Sequence, residues 1–399
     1  CVMSDLLRLG KNQDRRLRAG HLWVYSNEVD AGATPLGGFE PGQAVEVESA
    51  QGKWLGTAYV NPNSLICARL VTRQRGVALD GSLLVHRTKV ALSIRERLFT
   101  RPYYRLLFGE ADGCPGLVVD RFGDYLVVQI TTAGMERLKE EVVAALVKVL
   151  QPAGILLRND SGIRELEGLD RYVELAHGAI PERVSIEEGG CRFELSLGEG
   201  QKTGWFYDQA ANRDAFIPYV AGRRVLDVCS YIGAWSVRAA RAGATEVIAV
   251  DSSAQALDQL QQNLVLNGVE DRVSSLRGDA FQVLRELRAS REHFDLVVLD
   301  PPAFIKRKKD LKEGMLAYRR LNELALSLIE RDGVLVTASC SFHMQGDQLL
   351  RTVQQSARHT DRSLQLLHQG QQGPDHPIHP AIPETAYLKA FYLRVLPTL

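Results

Sequence analysis

Hydrophobic and polar positions fall into three successive patterns along the chain. Up to about Arg75 the apolar runs are short and β-like, at residues 22–25, 44–48, 54–59 and 65–70. Turn clusters such as Pro41-Gly42, Gln51-Gly52 and Asn61-Pro62-Asn63 break them. Short strands between Gly, Pro and Asn turns predict a small all-β barrel or sandwich. From Asp80 to about Glu182 the pattern is mixed. Leu84, Ala91, Ile94 and Leu98 keep helical spacing, as do Leu138, Val142, Leu146 and Val149. Residues 117–120 and 125–130 read as strands joined by a turn, giving a central α+β module. Its acids Asp112, Asp120 and Asp124 are expected to be exposed turn residues rather than metal ligands.

After an expected hairpin at 184–197, apolar runs rich in β-branched residues recur at 225–228, 247–250, 273–276, 296–299 and 334–337. Helical patterns separate them, such as Leu257, Leu260 and Leu264, or Leu321, Leu324 and Leu328. Buried strands alternating with amphipathic helices predict a doubly wound, largely parallel α/β sheet. The expected division is therefore 1–76, 77–183 and 184–399.

Composition narrows the function classes. A chain of 399 residues with 45% hydrophobic and 24% charged residues is neither disordered nor fibrous. Forty-eight basic residues balance 48 acidic ones, so a polyanion could be held only by local basic patches. No apolar run reaches the roughly 18 residues of a membrane-spanning helix, and no secretory signal is evident, so a cytoplasmic location is expected. Cys1, Cys67, Cys114, Cys191, Cys229 and Cys340 are spread without a Cys-x-x-Cys pair, which argues against zinc and against a disulfide framework. No metal is expected.

The predicted sheet carries acids near its strand ends: Asp227, Asp251, Asp279 and Asp300, spaced by 24, 28 and 21 residues. Ligands of such sheets bind at the carboxyl ends of the strands. The turn from Asp227 to Gly233 is not the Gly-x-Gly-x-x-Gly turn of dinucleotide sites. An acid after the second strand suits ribose hydroxyls, Asp279 suits an adenine amine, and Asp227 suits an ammonium. Together they point to S-adenosyl-L-methionine, a nucleoside with an ammonium group and no phosphate. Ser230, Tyr231 and Gly233 of the turn, with Gln209 and Pro301, complete the expected cofactor-binding set.

Asp300-Pro301-Pro302-Ala303-Phe304 forms a rigid wall after the fourth strand. Ser339-Cys340-Ser341 follows the fifth, where a thiol beside a methyl donor is a candidate nucleophile. Two basic clusters could meet RNA. Arg15, Arg16 and Arg18 precede Trp23 and Tyr25, a mixture of cations and rings suited to irregular RNA. Lys306, Arg307, Lys308 and Lys309 follow the proline wall and suit phosphates.

These motifs, with Gly200-Gln-Lys-Thr-Gly-Trp-Phe-Tyr-Asp-Gln209, resemble the class I ribosomal RNA large-subunit methyltransferase I family. The resemblance extends to the segment from Arg15 to Tyr25, similar to the opening of that family's PUA RNA-binding domain, and to Asp375-His-Pro near the C-terminus. It implies a Rossmann-like class I methyltransferase domain after a PUA-like domain, and methylation of cytosine C5 in 23S ribosomal RNA, free or in a particle. Cys340 would be the nucleophile and Asp300 its partner, while His376 and His379 would be structural. Two departures stand out: the first-strand turn is bulkier than the usual glycine-rich loop, and no second thiol follows Pro301. A homodimer is compatible with this reading. The alternatives are amino methylation of a purine through the Asp-Pro-Pro wall, or an inactive RNA-binding assembly factor.

Overall fold

The computed structural model describes residues 5–198 and 203–398, so Cys1 and the Gly200-Gln201-Lys202 start of the motif lie outside the described residues. The chain divides into two compact units. The first comprises Cys1–Val184, Ser196–Tyr207 and Pro374–Thr385, and the second Ser185–Leu195, Asp208–Gly373 and Ala386–Leu399.

The first unit begins with β1 (Asp5–Arg8), α1 (Arg15–Arg18), β2 (Trp23–Val24), β3 (Gln43–Glu48), β4 (Trp54–Val60) and β5 (Ala68–Thr72). Their sheet has the order β1-β3-β4-β5-β2 and closes over Leu7, Val24, Val45, Val47 and Val60. The same unit continues with α2 (Gly81–Leu98), β6 (Tyr103–Phe108), β7 (Leu117–Phe122), β8 (Tyr125–Ile130), α3 (Ala133–Arg137), α4 (Lys139–Leu150), β9 (Gly154–Asn159) and β10 (Tyr172–Gly178). The second sheet runs β10-β9-β8-β7-β6. Asp80 starts α2 by accepting from the amides of Ser82 and Leu83, a cap worth about 1 kcal/mol.

Asp124 is the exposed turn residue expected, but the other two acids are not. Asp120 is fully buried, pairs with Arg105 at 2.8 Å and accepts from Thr203 at 2.5 Å. Asp112 holds the buried Arg95 through two 2.7 Å hydrogen bonds. Pairing, not solvent, satisfies these carboxylates. Arg95 also donates to the carbonyl of Asp375 at 2.9 Å, while the Asp375 carboxylate accepts from the Arg105 amide at 2.9 Å. Residues 374–385 are thereby fastened into the first unit.

In the second unit, β11 (Val184–Glu188) and β12 (Cys191–Leu195) precede α5 (Ala210–Phe216). Then follow β13 (Arg224–Val228), α6 (Ala234–Arg241), β14 (Glu246–Asp251), α7 (Ala254–Asn267), β15 (Val273–Arg277), α8 (Ala280–Ala289) and β16 (Phe294–Leu299). The unit ends with α9 (Leu311–Leu328), β17 (Ile329–Ser339), α10 (Gly346–His359), β18 (Arg362–Gln371) and β19 (Lys389–Pro397). The seven-stranded sheet has the order β15-β14-β13-β16-β17-β19-β18. Strands β13 to β17 are parallel, while β19 runs antiparallel to both neighbours. Its central runs are apolar because helices cover both faces: Val225, Leu226, Val247, Val250 and Val297 to Leu299 are at most 1% exposed. The architecture is thus a Rossmann-like α/β sheet preceded by a small β-sheet and an α+β region. Strand order reverses between β13 and β16, which makes their carboxyl ends the crevice where ligands of such sheets bind.

Candidate active site

Asp227 lies one residue inside the end of β13 and is wholly buried. One carboxylate oxygen accepts from Ser236 Oγ at 2.6 Å; the other, Oδ1, is buried with no hydrogen-bond partner. Burial raises this carboxyl to about 7; Asp300 and Asp251 push the same way, against the Ser236 hydrogen bond. Ser230 Oγ nearby in the chain is likewise buried and unpartnered. An orphaned buried polar group costs about 1–3 kcal/mol, and two in one turn mark a place that a polar ligand would complete.

The turn itself is wound left-handed. Cys229, Tyr231 and Gly233 have φ of 68°, 50° and 93°. At Gly233 a Cβ would meet Leu260 of α7 at 3.0 Å, so glycine serves the close seating of the turn against α7. Asp251 holds the turn from the next strand, accepting from the Tyr231 amide and the Ser253 amide at 2.9 Å each. Both oxygens retain lone pairs for further donors. Asp279 is exposed and caps α8 through the Gln282 amide at 3.1 Å.

Asp300 follows β16. Its two oxygens accept from Gln209 Nε2 at 2.8 Å and Trp235 Nε1 at 3.1 Å. Burial holds this carboxyl above the ordinary carboxylate range, and the charge of Asp208 adds to it. Gln209 in turn accepts from Asn212 at 2.6 Å, and the buried Arg213 is clamped by Glu188 at 2.5 and 2.7 Å. The structure therefore brings Gln209, Asp227, Asp251 and Asp300 to neighbouring strand ends, with buried Pro301 beside them.

Cys340 comes directly after β17, next to β16 in the sheet. The wall after Asp300 is tied to it, since the Ile305 amide donates to Ser341 Oγ at 3.2 Å. The Phe304 ring lies 4.8 Å from that of Tyr318, tilted by 59°, and packs partly buried against the core. Cys229 differs: burial pushes its thiol up, and the acids Asp251, Asp300, Asp227 and Asp279 push it further.

The basic candidates separate. Lys306, Arg307, Lys308 and Lys309 are all exposed, and Arg307 pairs with Asp310 at 3.2 Å. Arg15 and Arg18 are exposed, Arg18 pairing with Asp14 at 2.6 Å. Arg16 is held by Glu28 at 2.8 Å and lies over the Tyr25 ring. Trp23 donates to Glu110 at 2.8 Å with Arg69 over its ring, so it ties the first sheet to the turn at Gly109–Asp112. Sequence reasoning missed Trp235 and Ser236, though both sit in the first turn after Gly233. It also missed Lys389, which no local signal marks. Among the described residues no helix is long and apolar enough to cross a membrane, and no three His, Cys, Asp or Glu side chains gather as a metal site.

Residues 166–394 match the S-adenosylmethionine-dependent methyltransferase family, and residues 7–73 match the PUA-like domain. The chain is 37% identical to ribosomal RNA large subunit methyltransferase I of Erwinia tasmaniensis, covering 99% of this chain and all of that one. The protein of the same name from Cronobacter sakazakii is 36% identical over 99% of this chain and 100% of its own. The chain belongs to the ribosomal RNA large subunit methyltransferase I family. A solved protein complexed with SAH shares the fold, with a TM-score of 0.85, 22% identity and coverage of 98% and 100%.

Members of this methyltransferase I family use S-adenosylmethionine, and the residues of this chain fit it. The unpartnered Asp227 Oδ1 and Ser230 Oγ offer acceptors for its ammonium, and the Asp251 oxygens offer acceptors for its ribose.

Proposed function

We propose that this chain methylates C5 of a cytosine in 23S large-subunit ribosomal RNA, with Cys340 as the nucleophile. The observation that carries the reading is the pairing of β16 with β17, whose adjacent ends bear Asp300 and Cys340 beside the cofactor turn. When bound, S-adenosylmethionine supplies an electrophilic methyl group. Cytosine C5 is too weak a nucleophile to take it unaided. The Cys340 thiolate adds to C6, and the electron pair of the C5–C6 bond becomes available at C5. Asp300, its carboxyl held upward by burial, keeps a proton against cytosine N3 while the adduct lasts. Once C5 has taken the methyl group, its proton passes to a basic acceptor such as water, and the C–H electron pair restores the C5–C6 double bond as the thiolate leaves.

The expected cofactor set is Gln209, Asp227, Ser230, Tyr231, Gly233, Asp251, Asp279, Asp300 and Pro301. In it Asp279 has the weakest support, since its helix cap explains it fully. Residues 1–76 form the proposed RNA-binding domain, 77–183 the central one and 184–399 the catalytic one. Exposed Arg15, Arg18 and Lys306 to Lys309 meet phosphates, with Arg16 and Trp23 in supporting positions. The target base must be unpaired or flipped to reach the strand ends. Mass spectrometry of 23S ribosomal RNA from cells with and without the gene tests the reading. It stands if one 5-methylcytosine disappears, and fails if an amino-methylated base disappears instead.

A further inference from the structure

The nucleophile reading leaves open what holds Cys340 and what favours its thiolate. Both neighbours of Cys340 are locked. Ser339 Oγ donates to Tyr318 Oη at 2.9 Å, Tyr318 Oη and Ser341 Oγ lie 3.0 Å apart, and the Ser341 amide donates to Ser339 Oγ at 3.2 Å. Ser339, Ser341 and Tyr318 are at most 1% exposed, so this clamp is dry. On the other side, Lys389 opens β19 directly opposite Ser339 in the antiparallel register. Its Nζ donates to the Ser341 carbonyl at 2.6 Å and to the Tyr387 carbonyl at 2.9 Å. An ammonium has three donors, and these carbonyls take two. The cation is thus fixed within one residue of the thiol on a half-buried stem.

We infer that Lys389 is a positioning residue for the reaction, holding its ammonium beside Cys340 so that the thiolate is favoured and aimed. This rests on Cys340 being the nucleophile. Among the described residues, Lys389 on β19 and Tyr318 on α9 are titratable groups coupled electrostatically to Cys340. Burial lowers the Lys389 amine to about 8, and the charge of Cys340 raises it in return. Burial, and Cys340 to a lesser degree, raise the Tyr318 phenol, which stays neutral. An amine poised near 8 carries its proton at neutral pH, where the thiolate needs it, and loses the proton in mild alkali. No atoms are exchanged in this role; the charge stabilises the sulfur anion and nothing more.

The test is peptide-resolved alkylation of Cys340 by iodoacetamide as a function of pH in the full chain. Lys389→Gln keeps N–H donors for the two carbonyls but removes the charge. It should slow alkylation at pH 7 by about tenfold, the rates converging in strong alkali where every thiol ionises. Lys389→Arg, which keeps the charge, should stay within about threefold of wild type at pH 7. A Gln profile superimposed on the native one overturns the inference. If the Gln variant fails to bind S-adenosylmethionine by calorimetry and so is misfolded, the Arg comparison decides: alkylation at pH 7 slowed about tenfold in Lys389→Arg, which keeps the charge, overturns it. Failure of the underlying reading looks different. It would appear as 5-fluorocytosine RNA trapped on Cys340→Ala, whatever Lys389 does.

Discussion

Cys229 and Cys340 stand just past the carboxyl ends of β13 and β17, two strands of one sheet with β16 between them, yet their surroundings are opposite. Cys229 sits in a left-handed turn, where burial first, and four acids after it, push its thiol up. Cys340 sits between two buried serines, with the ammonium of Lys389 bound to the carbonyl of the next residue. A strand end gives a thiol access to the crevice, and the sign of the charge around it decides what it can do there. Acids that suit an ammonium disfavour a thiolate, so on the proposed function the two tasks would fall at separate strand ends, a cofactor half and a base half of the carboxyl edge.

The largest expected effect breaks that comparison outright if it fails. Cys340→Ala should lower methyl transfer by at least about a thousandfold and abolish trapping of 5-fluorocytosine RNA, while calorimetry shows the cofactor still bound. Cys229→Ala should still trap. An adduct mapped to Cys229 by mass spectrometry would reverse the two roles. Next, Asp251→Ala should weaken S-adenosylmethionine binding by about tenfold or more, since it unpairs the ribose and frees the Tyr231 and Ser253 amides. RNA affinity, read by filter binding, should barely change.

Acidity sharpens the same division. The Asp227 carboxyl, raised to about 7 chiefly by burial, holds a proton below that pH, and an arriving ammonium must expel it. Cofactor affinity should therefore fall up to about tenfold per pH unit below about 7, and Asp227→Asn should be weak but flat over the same range. The smallest effect belongs to the base half. Replacing Lys306, Arg307, Lys308 and Lys309 with Ala should weaken RNA binding several-fold and reduce its salt slope by at most about four, with cofactor affinity unchanged. An unaltered slope would leave those cations as solvated surface.

The parallel strands were legible because burial on both faces makes them continuous apolar runs, as at Val247 to Val250. Edge strands were not. Asp5–Arg8 and Arg362–Gln371 carry polar residues along their open sides and look like loops. The strand-end carboxylates could be read from spacing alone, because one strand–helix–strand step recurs at a regular length. Their states could not, since Asp227 owes its shift to burial and to Asp300 and Asp251, brought close only by the sheet. Asp112 and Asp120 looked like turn acids because nothing local announces Arg95 and Arg105 as partners. Lys389 was invisible for a related reason: only the antiparallel return of β19 sets it opposite Ser339.

The fastening of Asp375 to Arg95 and Arg105 has a consequence for synthesis. These partners are separated by 280 and 270 residues, and the segment Pro374–Thr385 leaves the ribosome after β18. The first unit, although its sheets are translated earliest, lacks residues 374–385 until they emerge. Until then the Arg95 guanidinium lacks its Asp375 carbonyl. Chains ending at Gly373 should accordingly be cut by protease within residues 1–184 faster than chains ending at Thr385.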